Sequence, residues 1–131
     1  MKTLRILVVD DFDPFRQLIC GLLEDHSDGW IVDLACDGAE AIQKATQFGP
    51  EVILLDIALP KVNGLEAGRQ IRSKSPHSKI IFVSQETCPD VIEECLRIGS
   101  GYIVKGKVGR LLPSALNTVL KGEQFVCTGV P

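Results

Sequence analysis

The chain has 131 residues, 45% of them hydrophobic and 24% charged, which suits one globular domain with its own core. Its 14 basic and 17 acidic residues leave a net charge of −3, which argues against a protein that binds nucleic acid by itself. The apolar N-terminal stretch ends at Asp10 and Asp11 without a cleavage site, and no apolar run is long enough to span a bilayer. We therefore expect a cytoplasmic protein that has no contact with a membrane.

Short β-branched runs alternate with segments of helical periodicity, a pattern typical of a parallel sheet with helices on both faces. The first strand is predicted at 4–9, and Asp13 is expected to cap the helix that follows, with Pro14 at its first position. Apolar residues at helical spacing form one stripe on this helix: Phe15, Leu18, Ile19, Leu22 and Leu23. We expect that stripe to face the core.

The middle of the chain continues the alternation. A second strand is predicted at 30–36, and Asp37 is expected to cap a helix that ends at Gly49. The most continuous apolar run lies at 52–55 and predicts a central strand, which is followed by a loop and a third helix at about 65–73.

The last third of the chain contains two more strand–helix units. A fourth strand is predicted at 79–83, and Pro89 opens the helix after it. A fifth strand is predicted at 101–104, and a last helix at about 109–121 can hold Pro113 only in its first turn. The five cysteines form no CxxC pair and are expected to be small buried side chains.

Chemically reactive side chains recur at the carboxyl ends of the predicted strands: Asp10, Asp11, Asp56, Ser84 and Lys105. Open α/β sheets bind ligands beyond those ends, and right-handed crossovers would bring these residues together in one pocket. Clustered carboxylates repel one another unless a cation is present, and hard oxygen ligands favour Mg²⁺. A metal ion beside a lysine and a hydroxyl suits phosphoryl transfer, and an aspartate can be the nucleophile.

Four segments carry a resemblance to a known family: VVDD at 8–11, LLDIALPKVNG at 54–64, VSQE at 83–86 and GYIVKG at 101–106. In order and spacing they resemble the receiver domain of two-component response regulators, over residues 4–122. The resemblance implies an α/β fold with a doubly wound, five-stranded parallel sheet in the flavodoxin-like order 2-1-3-4-5, with helices on both faces. It also implies a receiver domain at 1–122 and a C-terminal tail or the start of a linker at 123–131.

The resemblance further implies roles for the residues of the pocket. Asp56 would be the phosphoacceptor, which takes a phosphoryl group from the phosphohistidine of a partner sensor kinase. Asp11, Asp56 and the backbone carbonyl of Ala58 would bind Mg²⁺ directly, and Asp10 would reach the metal ion through water. The domain would be no enzyme in the ordinary sense, since it assists only its own phosphoryl transfer and a slow autodephosphorylation.

Other residues match positions that respond to phosphorylation in the family. Lys105 would pair with the acceptor and then with the phosphoryl group, which the Ser84 hydroxyl would also bond. The Tyr102 ring would turn inward as Ser84 moves, and the output surface would be the fourth helix, the fifth strand and the fifth helix. Pro60 and Gly64 would shape the loop after the acceptor.

Two positions depart from the family pattern. The family has proline after the lysine, in a cis peptide, where this chain has Gly106. A cis bond without proline costs about 2.5–4 kcal/mol, so we expect a trans or more mobile loop. The family also favours a small residue where this chain has Gln85, whose amide could narrow access to the acceptor or bond the phosphoryl group. Both departures leave the reacting groups in place, so we expect phosphorylation with altered rates.

The tail EQFVCT at 123–128 and the segment LPKVNGLEAGRQIR at 59–72 resemble transcriptional regulators of the LuxR type. In those proteins a helix-turn-helix domain follows the receiver. We expect either a stand-alone receiver or, as the favoured interpretation, one module of a longer protein that regulates transcription. The receiver itself would not bind nucleic acid, and dimerisation on phosphorylation is consistent with the family.

Three other interpretations have weaker support in the sequence. Asp11-Phe12-Asp13 resembles the nucleophile motif of haloacid-dehalogenase phosphatases, but Phe15 stands where that family has Thr or Val. A dinucleotide-binding domain would need glycines in the turn DDFDPF. A degenerate receiver would signal through the same surface without phosphorylation, which the intact acceptor, acid pair and lysine argue against.

Overall fold

The computed structural model describes residues 4–26 and 29–128. Its elements in chain order are β1 (Leu4–Val9), α1 (Asp13–His26), β2 (Trp30–Ala35), α2 (Gly38–Phe48), β3 (Val52–Leu55), α3 (Gly64–Lys74), β4 (Lys79–Ser84), α4 (Pro89–Ile98), β5 (Gly101–Val104), a 3₁₀ turn (Lys105–Lys107), α5 (Val108–Leu120) and β6 (Phe125–Cys127). Strands and helices alternate, so a helix joins each strand to the next. None of the helices in these two ranges has the length and apolar character needed to cross a membrane.

The strands lie parallel in one six-stranded sheet, in the order β2-β1-β3-β4-β5-β6. The first five strands have the predicted flavodoxin-like order, but the prediction of five strands is wrong because part of the tail forms β6. Phe125 pairs with Gly101, and its N–H donates to the Ser100 carbonyl at 3.1 Å. Glycine at 101 permits this approach, since a Cβ there would lie 2.9 Å from the Phe125 carbonyl oxygen.

Successive residues of each strand point to opposite faces of the sheet, and helices cover both faces. In β1, Ile6 and Val8 face the core layer under α1 and α5, whereas Leu7 and Val9 face the layer under α2, α3 and α4. All of these side chains are at most 2% exposed. This burial on both faces explains why the central strands are continuous apolar runs rather than alternating ones.

The predicted cap of α2 is confirmed, whereas that of α1 is wrong. Asp37 Oδ1 accepts a hydrogen bond from a backbone N–H in the first turn of α2 at 2.7 Å, and Gly49, at φ 62°, ends the helix. In α1 the Phe12 carbonyl accepts the first intrahelical bond, from the Arg16 N–H at 3.2 Å, so Asp13 lies inside the helix. The Asp13 carboxylate pairs with Arg16 Nη2 at 3.0 Å instead of capping.

Three further predictions differ from the structure. Leu18 on α1 is 51% exposed, so the apolar stripe is narrower than predicted. Pro113 is the sixth residue of α5, which begins at Val108 directly after the 3₁₀ turn, and so lies beyond the first turn of the helix. Cys36 and Cys88 are exposed rather than buried, since each lies in a loop between a strand and the following helix.

Candidate functional site

The sheet positions two of the predicted carboxylates at its carboxyl edge. The Asp10 N–H donates to the Ala35 carbonyl and the Asp56 N–H donates to the Val9 carbonyl, each at 3.1 Å, so both residues continue the strand ladders. Asp10 is fully buried, Asp56 is 5% exposed, and Asp11 beside them is exposed. One carboxylate oxygen of each aspartate lies within 4.8 Å of the others. The structure therefore brings the predicted acid cluster together.

Lys105 lies between the two buried carboxylates. Its Nζ atom is 2.7 Å from Asp10 Oδ2 and 3.3 Å from Asp56 Oδ2. Burial raises the pKa of Asp56 and the negative charge of Asp10 adds to that rise, against the lowering effect of the Lys105 ammonium. Burial works to lower the pKa of Lys105, but its two carboxylate partners outweigh this and raise it. Lys105 therefore neutralises part of the negative charge of the cluster.

The acid cluster has the donor set of a site for a cation that prefers oxygen. Asp10 Oδ2 is buried and accepts no well-aligned hydrogen bond within the described part of the chain, although Lys105 Nζ lies close to it. Asp11 is exposed, which leaves part of a coordination sphere open to water, as Mg²⁺ prefers. These residues therefore fit Mg²⁺.

Side chains hold the segment that follows β4. Ser84 Oγ accepts a hydrogen bond from the Glu86 N–H at 3.2 Å, and the Glu86 carbonyl accepts one from Tyr102 Oη at 2.7 Å. The Tyr102 ring is fully buried, which is the inward position that the resemblance associates with a switch. Burial raises the pKa of Tyr102 to about 12. The ring therefore joins β5 to the segment that carries the Ser84 hydroxyl.

A groove beside Asp56 contains one of the two positions that depart from the family pattern. Its lining includes Ala58, Ser84, Gln85 and Lys105. Gln85 is exposed in this groove, whereas Gly106, the other departure, is exposed in the 3₁₀ turn. No cis peptide bond occurs among the described residues, so the loop after the lysine is trans, as expected.

Backbone contacts fix the loop at 57–63, which leads away from Asp56. The Gly64 N–H donates to the Ile57 carbonyl at 2.7 Å, and a Cβ at Gly64 would lie 1.9 Å from the Asp56 carbonyl oxygen. The Pro60 carbonyl accepts a hydrogen bond at 3.3 Å from the first residue of α2, which ties the loop to that helix. Pro60 therefore lies within the loop, and Gly64 lies directly after it as the first residue of α3.

Sequence reasoning missed three residues around the site. Lys105 Nζ lies 4.7 Å from the centroid of the Phe15 ring. A Cβ at Gly38 would lie 1.8 Å from the Val62 carbonyl oxygen, so glycine lets the loop approach α2. Lys61 has φ 66°, a left-handed conformation that is uncommon for lysine. The contacts of Phe15 and Gly38 have no local signal because each joins separate parts of the chain, and the left-handed conformation of Lys61 is not marked by its residue type.

The fold and the site together define a class of protein. An open parallel α/β sheet that gathers three carboxylates and a lysine at its carboxyl edge is suited to phosphoryl chemistry with a divalent metal ion. More particularly, the chain belongs to the response regulator receiver domain family, whose model matches residues 6–117. Receiver domains bind Mg²⁺ at an acidic pocket, which here corresponds to the cluster of Asp10, Asp11 and Asp56. The predicted receiver function is confirmed, and the phosphatase and degenerate-receiver alternatives are not favoured.

Curated relatives of the chain are regulators that extend beyond it. The chain is 33% identical to the oxygen regulatory protein NreC of Staphylococcus aureus over 125 residues, which are 94% of this chain and 58% of the relative. It is 30% identical to the transcriptional regulatory protein DegU of Brevibacillus brevis over 124 residues, 94% of this chain and 52% of the relative. The chain thus spans about half the length of the curated relatives it matches.

A solved structure narrows the resemblance further. The crystal structure of a LuxR-family two-component response regulator from Aurantimonas sp. has a TM-score of 0.86 and 27% identity to this chain. The similarity covers 95% of this chain and 89% of the other. The predicted resemblance to regulators of the LuxR type is therefore confirmed.

Proposed function

We propose that Asp56 accepts a phosphoryl group from the phosphohistidine of a sensor histidine kinase, and that phosphorylation alters the surface formed by α4, β5 and α5. One observation carries this proposal, namely the position of Lys105 between Asp10 and Asp56. Asp56 thus has an ammonium group 3.3 Å away. Two further carboxylates that suit a metal ion lie within 4.8 Å. An ammonium group and a metal ion beside the nucleophile stabilise the negative charge on the phosphoryl oxygens during transfer.

The transfer balances without a further reactant. A carboxylate oxygen of Asp56 forms a bond to phosphorus as the N–P bond of the phosphohistidine breaks, and the electron pair returns to the histidine nitrogen. Lys105 is close enough to exchange its contact with Asp56 for one with a transferred oxygen. Ser84 lines the same groove and can donate its hydroxyl hydrogen to another oxygen. Slow attack of water on the acyl phosphate would return the domain to its starting state.

The metal ion would be held by residues around the acceptor. Asp11, Asp56 and the Ala58 carbonyl would bind Mg²⁺ directly, and Asp10 would bind it through water. When bound, Mg²⁺ would neutralise charge on the phosphoryl oxygens. The exposed position of Asp11 supports a direct contact with the ion there, because it leaves the rest of the coordination sphere open to water.

A series of hydrogen bonds would carry the change from the acceptor to the output surface. The Ser84 hydroxyl can donate to a phosphoryl oxygen while it accepts from the Glu86 N–H. Any shift of Ser84 then moves Glu86, whose carbonyl is the acceptor for Tyr102 Oη. Tyr102 belongs to β5, and Glu86 lies just before α4, so two of the three output elements would be affected.

Phosphorylation by a small donor tests the central claim. We expect wild-type protein incubated with Mg²⁺ and acetyl phosphate to gain one phosphoryl group by intact mass, and Asp56→Asn to gain none. Asp33→Asn is the matched control. Asp33 lies on β2, and its carboxylate pairs with Lys44 on α2, away from the acid cluster. A wild type that stays unmodified, or an Asp56→Asn variant that is still modified, contradicts the proposal.

We infer that the chain acts as the receiver module of a longer cytoplasmic regulator of transcription. The chain spans little more than half the length of these relatives, and one of them is a transcriptional regulatory protein. The receiver would end near residue 122, and 123–131, with β6 as its first part, would lead to a helix-turn-helix domain. The receiver itself, with its net charge of −3, would not bind DNA. Size-exclusion chromatography of the phosphorylated and free forms tests whether phosphorylation produces a dimer.

A further inference from the structure

The Lys105 ammonium receives little support from its own loop. Gly106 stands where the family has proline, it is exposed, and an added Cβ there would meet no atom within 4 Å. Lys107 is also exposed. The 3₁₀ turn is closed by the hydrogen bond from the Val108 N–H to the Lys105 carbonyl, which fixes the backbone and not the side chain. Contacts outside the loop must therefore position the ammonium group.

One such contact comes from the first turn of α1. Lys105 Nζ lies 4.7 Å from the centroid of the Phe15 ring, within the roughly 6 Å range of a cation–π interaction. The ring is partly buried and packs against the core layer under α1 and α5. The helix is also joined to Asp10, because Arg16 Nη1 donates to the Asp10 carbonyl at 2.5 Å and the Phe12 N–H donates to Asp10 Oδ1 at 2.9 Å. The ring and one carboxylate partner of the lysine thus belong to one fixed unit.

We propose that Phe15 is a positioning residue for the reaction at Asp56, whose ring face holds the Lys105 ammonium beside the acceptor. This inference rests on the phosphoacceptor function proposed above. Phe15 acts through Lys105 and needs no contact with the phosphoryl group. The attraction requires the negative face of an aromatic ring, so an aliphatic side chain of similar size would fill the space without supplying it.

Nuclear magnetic resonance tests the contact without any phosphoryl transfer. Protons that lie over an aromatic ring resonate upfield, so the ε-methylene protons of Lys105 should be shifted upfield relative to those of the other lysines. Phe15→Leu should abolish the shift and Phe15→Tyr should keep it. The matched control is Phe48→Leu, which removes a ring under the Arg5 guanidinium, 5.7 Å from its centroid, at the opposite edge of the sheet. A Lys105 signal that is the same in wild type and Phe15→Leu overturns the inference.

Phosphorylation kinetics test whether the contact matters for the reaction. With Mg²⁺ and acetyl phosphate, Phe15→Leu should be phosphorylated about three- to tenfold more slowly than wild type. Phe15→Tyr and Phe48→Leu should react at the wild-type rate. In a Lys105→Met background, Phe15→Leu should cause no further loss, because the ring then has no cation to hold. An equal loss in both backgrounds would mean that Phe15 acts on the fold and not on the lysine, which overturns the inference.

The two measurements separate this inference from the function on which it rests. If the wild type never accepts a phosphoryl group, the proposed function fails, while the chemical shifts still decide whether Phe15 holds Lys105. If Asp56 is phosphorylated at the same rate in wild type and Phe15→Leu, only the positioning role fails. Thermal denaturation of Phe15→Leu shows whether the variant is folded at the assay temperature. If it is not, the wild type alone decides the contact, because Lys105 ε-methylene protons that resonate with those of the other lysines overturn the inference.

Discussion

The loop that follows Asp56 and the turn that contains Lys105 are built in opposite ways. Backbone contacts fix residues 57–63, because a Cβ at Gly64 would lie 1.9 Å from the Asp56 carbonyl oxygen and the Pro60 carbonyl bonds to α2. The 3₁₀ turn at 105–107 has open space around its glycine. Lys105 in this turn is held by other side chains, namely the carboxylates of Asp10 and Asp56 and the aromatic ring of Phe15.

This difference separates two tasks within one site. A nucleophile must present the same oxygen to every donor, and a loop whose backbone is fixed on both sides provides that orientation. A lysine that pairs first with Asp56 and then with a transferred group must change partners. Side-chain contacts allow this exchange without a movement of the backbone, so the two loops suit their different roles in the proposed reaction.

Replacing Gly64 at the end of the first loop and Gly106 in the 3₁₀ turn by alanine should give the largest difference in stability between these two regions. Gly64→Ala should lower the free energy of unfolding by about 4 kcal/mol or more, because the new methyl group overlaps the Asp56 backbone. Gly106→Ala should change it by less than about 1 kcal/mol, since no atom lies near the new Cβ. Urea denaturation followed by circular dichroism measures both. Equal losses in the two variants would contradict the contrast.

Removal of the lysine charge tests the loop that side chains hold. Lys105→Met leaves Asp10 and Asp56 without their cation, so without Mg²⁺ we expect a loss of about 2–3 kcal/mol in the free energy of unfolding. Mg²⁺ should raise the melting temperature of this variant more than that of wild type, because the ammonium no longer repels it. Thermal denaturation with and without Mg²⁺ checks both statements. Lys44→Met, whose partners lie away from the site, is the control.

The expectation for Mg²⁺ can be contradicted directly. If Lys105 and the metal ion do not compete for the same carboxylates, Mg²⁺ will raise the melting temperature of Lys105→Met by no more than that of wild type. That result would separate the position of the lysine from the position of the ion. The stability that Lys105→Met loses without Mg²⁺ would then measure only the ion pairs of Lys105 with Asp10 and Asp56.

The segment between β4 and α4 is also held by a side chain, that of Tyr102 on β5, which can be titrated. Burial raises the pKa of Tyr102 to about 12, so the folded protein favours the neutral phenol. Its contribution to stability is therefore complete below the ordinary pKa of about 10 and is lost as the pH rises toward 12. Ultraviolet titration of the single tyrosine should find this high midpoint, and Tyr102→Phe should lose that part of the alkaline fall in stability. A midpoint near 10 in folded protein would show a ring that is not held inward.

The smallest expected effect concerns one lysine in each loop. Lys61 has φ 66°, so Lys61→Gly should raise the free energy of unfolding by about 0.5–1 kcal/mol. Its ion pair with Asp37, at 3.5 Å, joins a lysine that is 71% exposed and contributes little. Lys107, at φ −110°, has no such strain, and Lys107→Gly should lower stability by a similar amount. Chemical denaturation measures the sign of the stability change in each variant. A lower free energy of unfolding in both variants would show that Lys61 is not strained.

The acid cluster could be predicted because its position follows from topology. Asp10, Asp56 and Lys105 each follow an apolar run, and parallel strands end at one edge of a sheet. The prediction that Asp13 caps α1 failed because a competing group sets the start of the helix. The Asp10 carboxylate accepts the Phe12 N–H and turns the chain before Asp13 is reached.

The parts that were missed depend on contacts between distant residues. The strand β6 spans only Phe125–Cys127, and its three residues are all apolar although Val126 is 47% exposed, so its sequence has no alternation of apolar and polar residues. Its pairing depends on the space above Gly101, which lies on a different strand. Phe15 could be assigned to an apolar stripe, but its contact with Lys105 depends on how near α1 lies to the end of β5. Local sequence patterns contain no such distances.

The direction of β6 has a mechanical consequence. The strand runs parallel to β5, with Cys127 opposite Ile103, so Thr128 comes to the edge of the sheet at which Lys105 lies. A force on Thr128 directed along the strand would load the β5–β6 hydrogen bonds in shear, all of them together, whereas an antiparallel strand would have placed this residue at the other edge. Tension in the C-terminal segment would therefore act on the strand that contains Tyr102 and leads to Lys105.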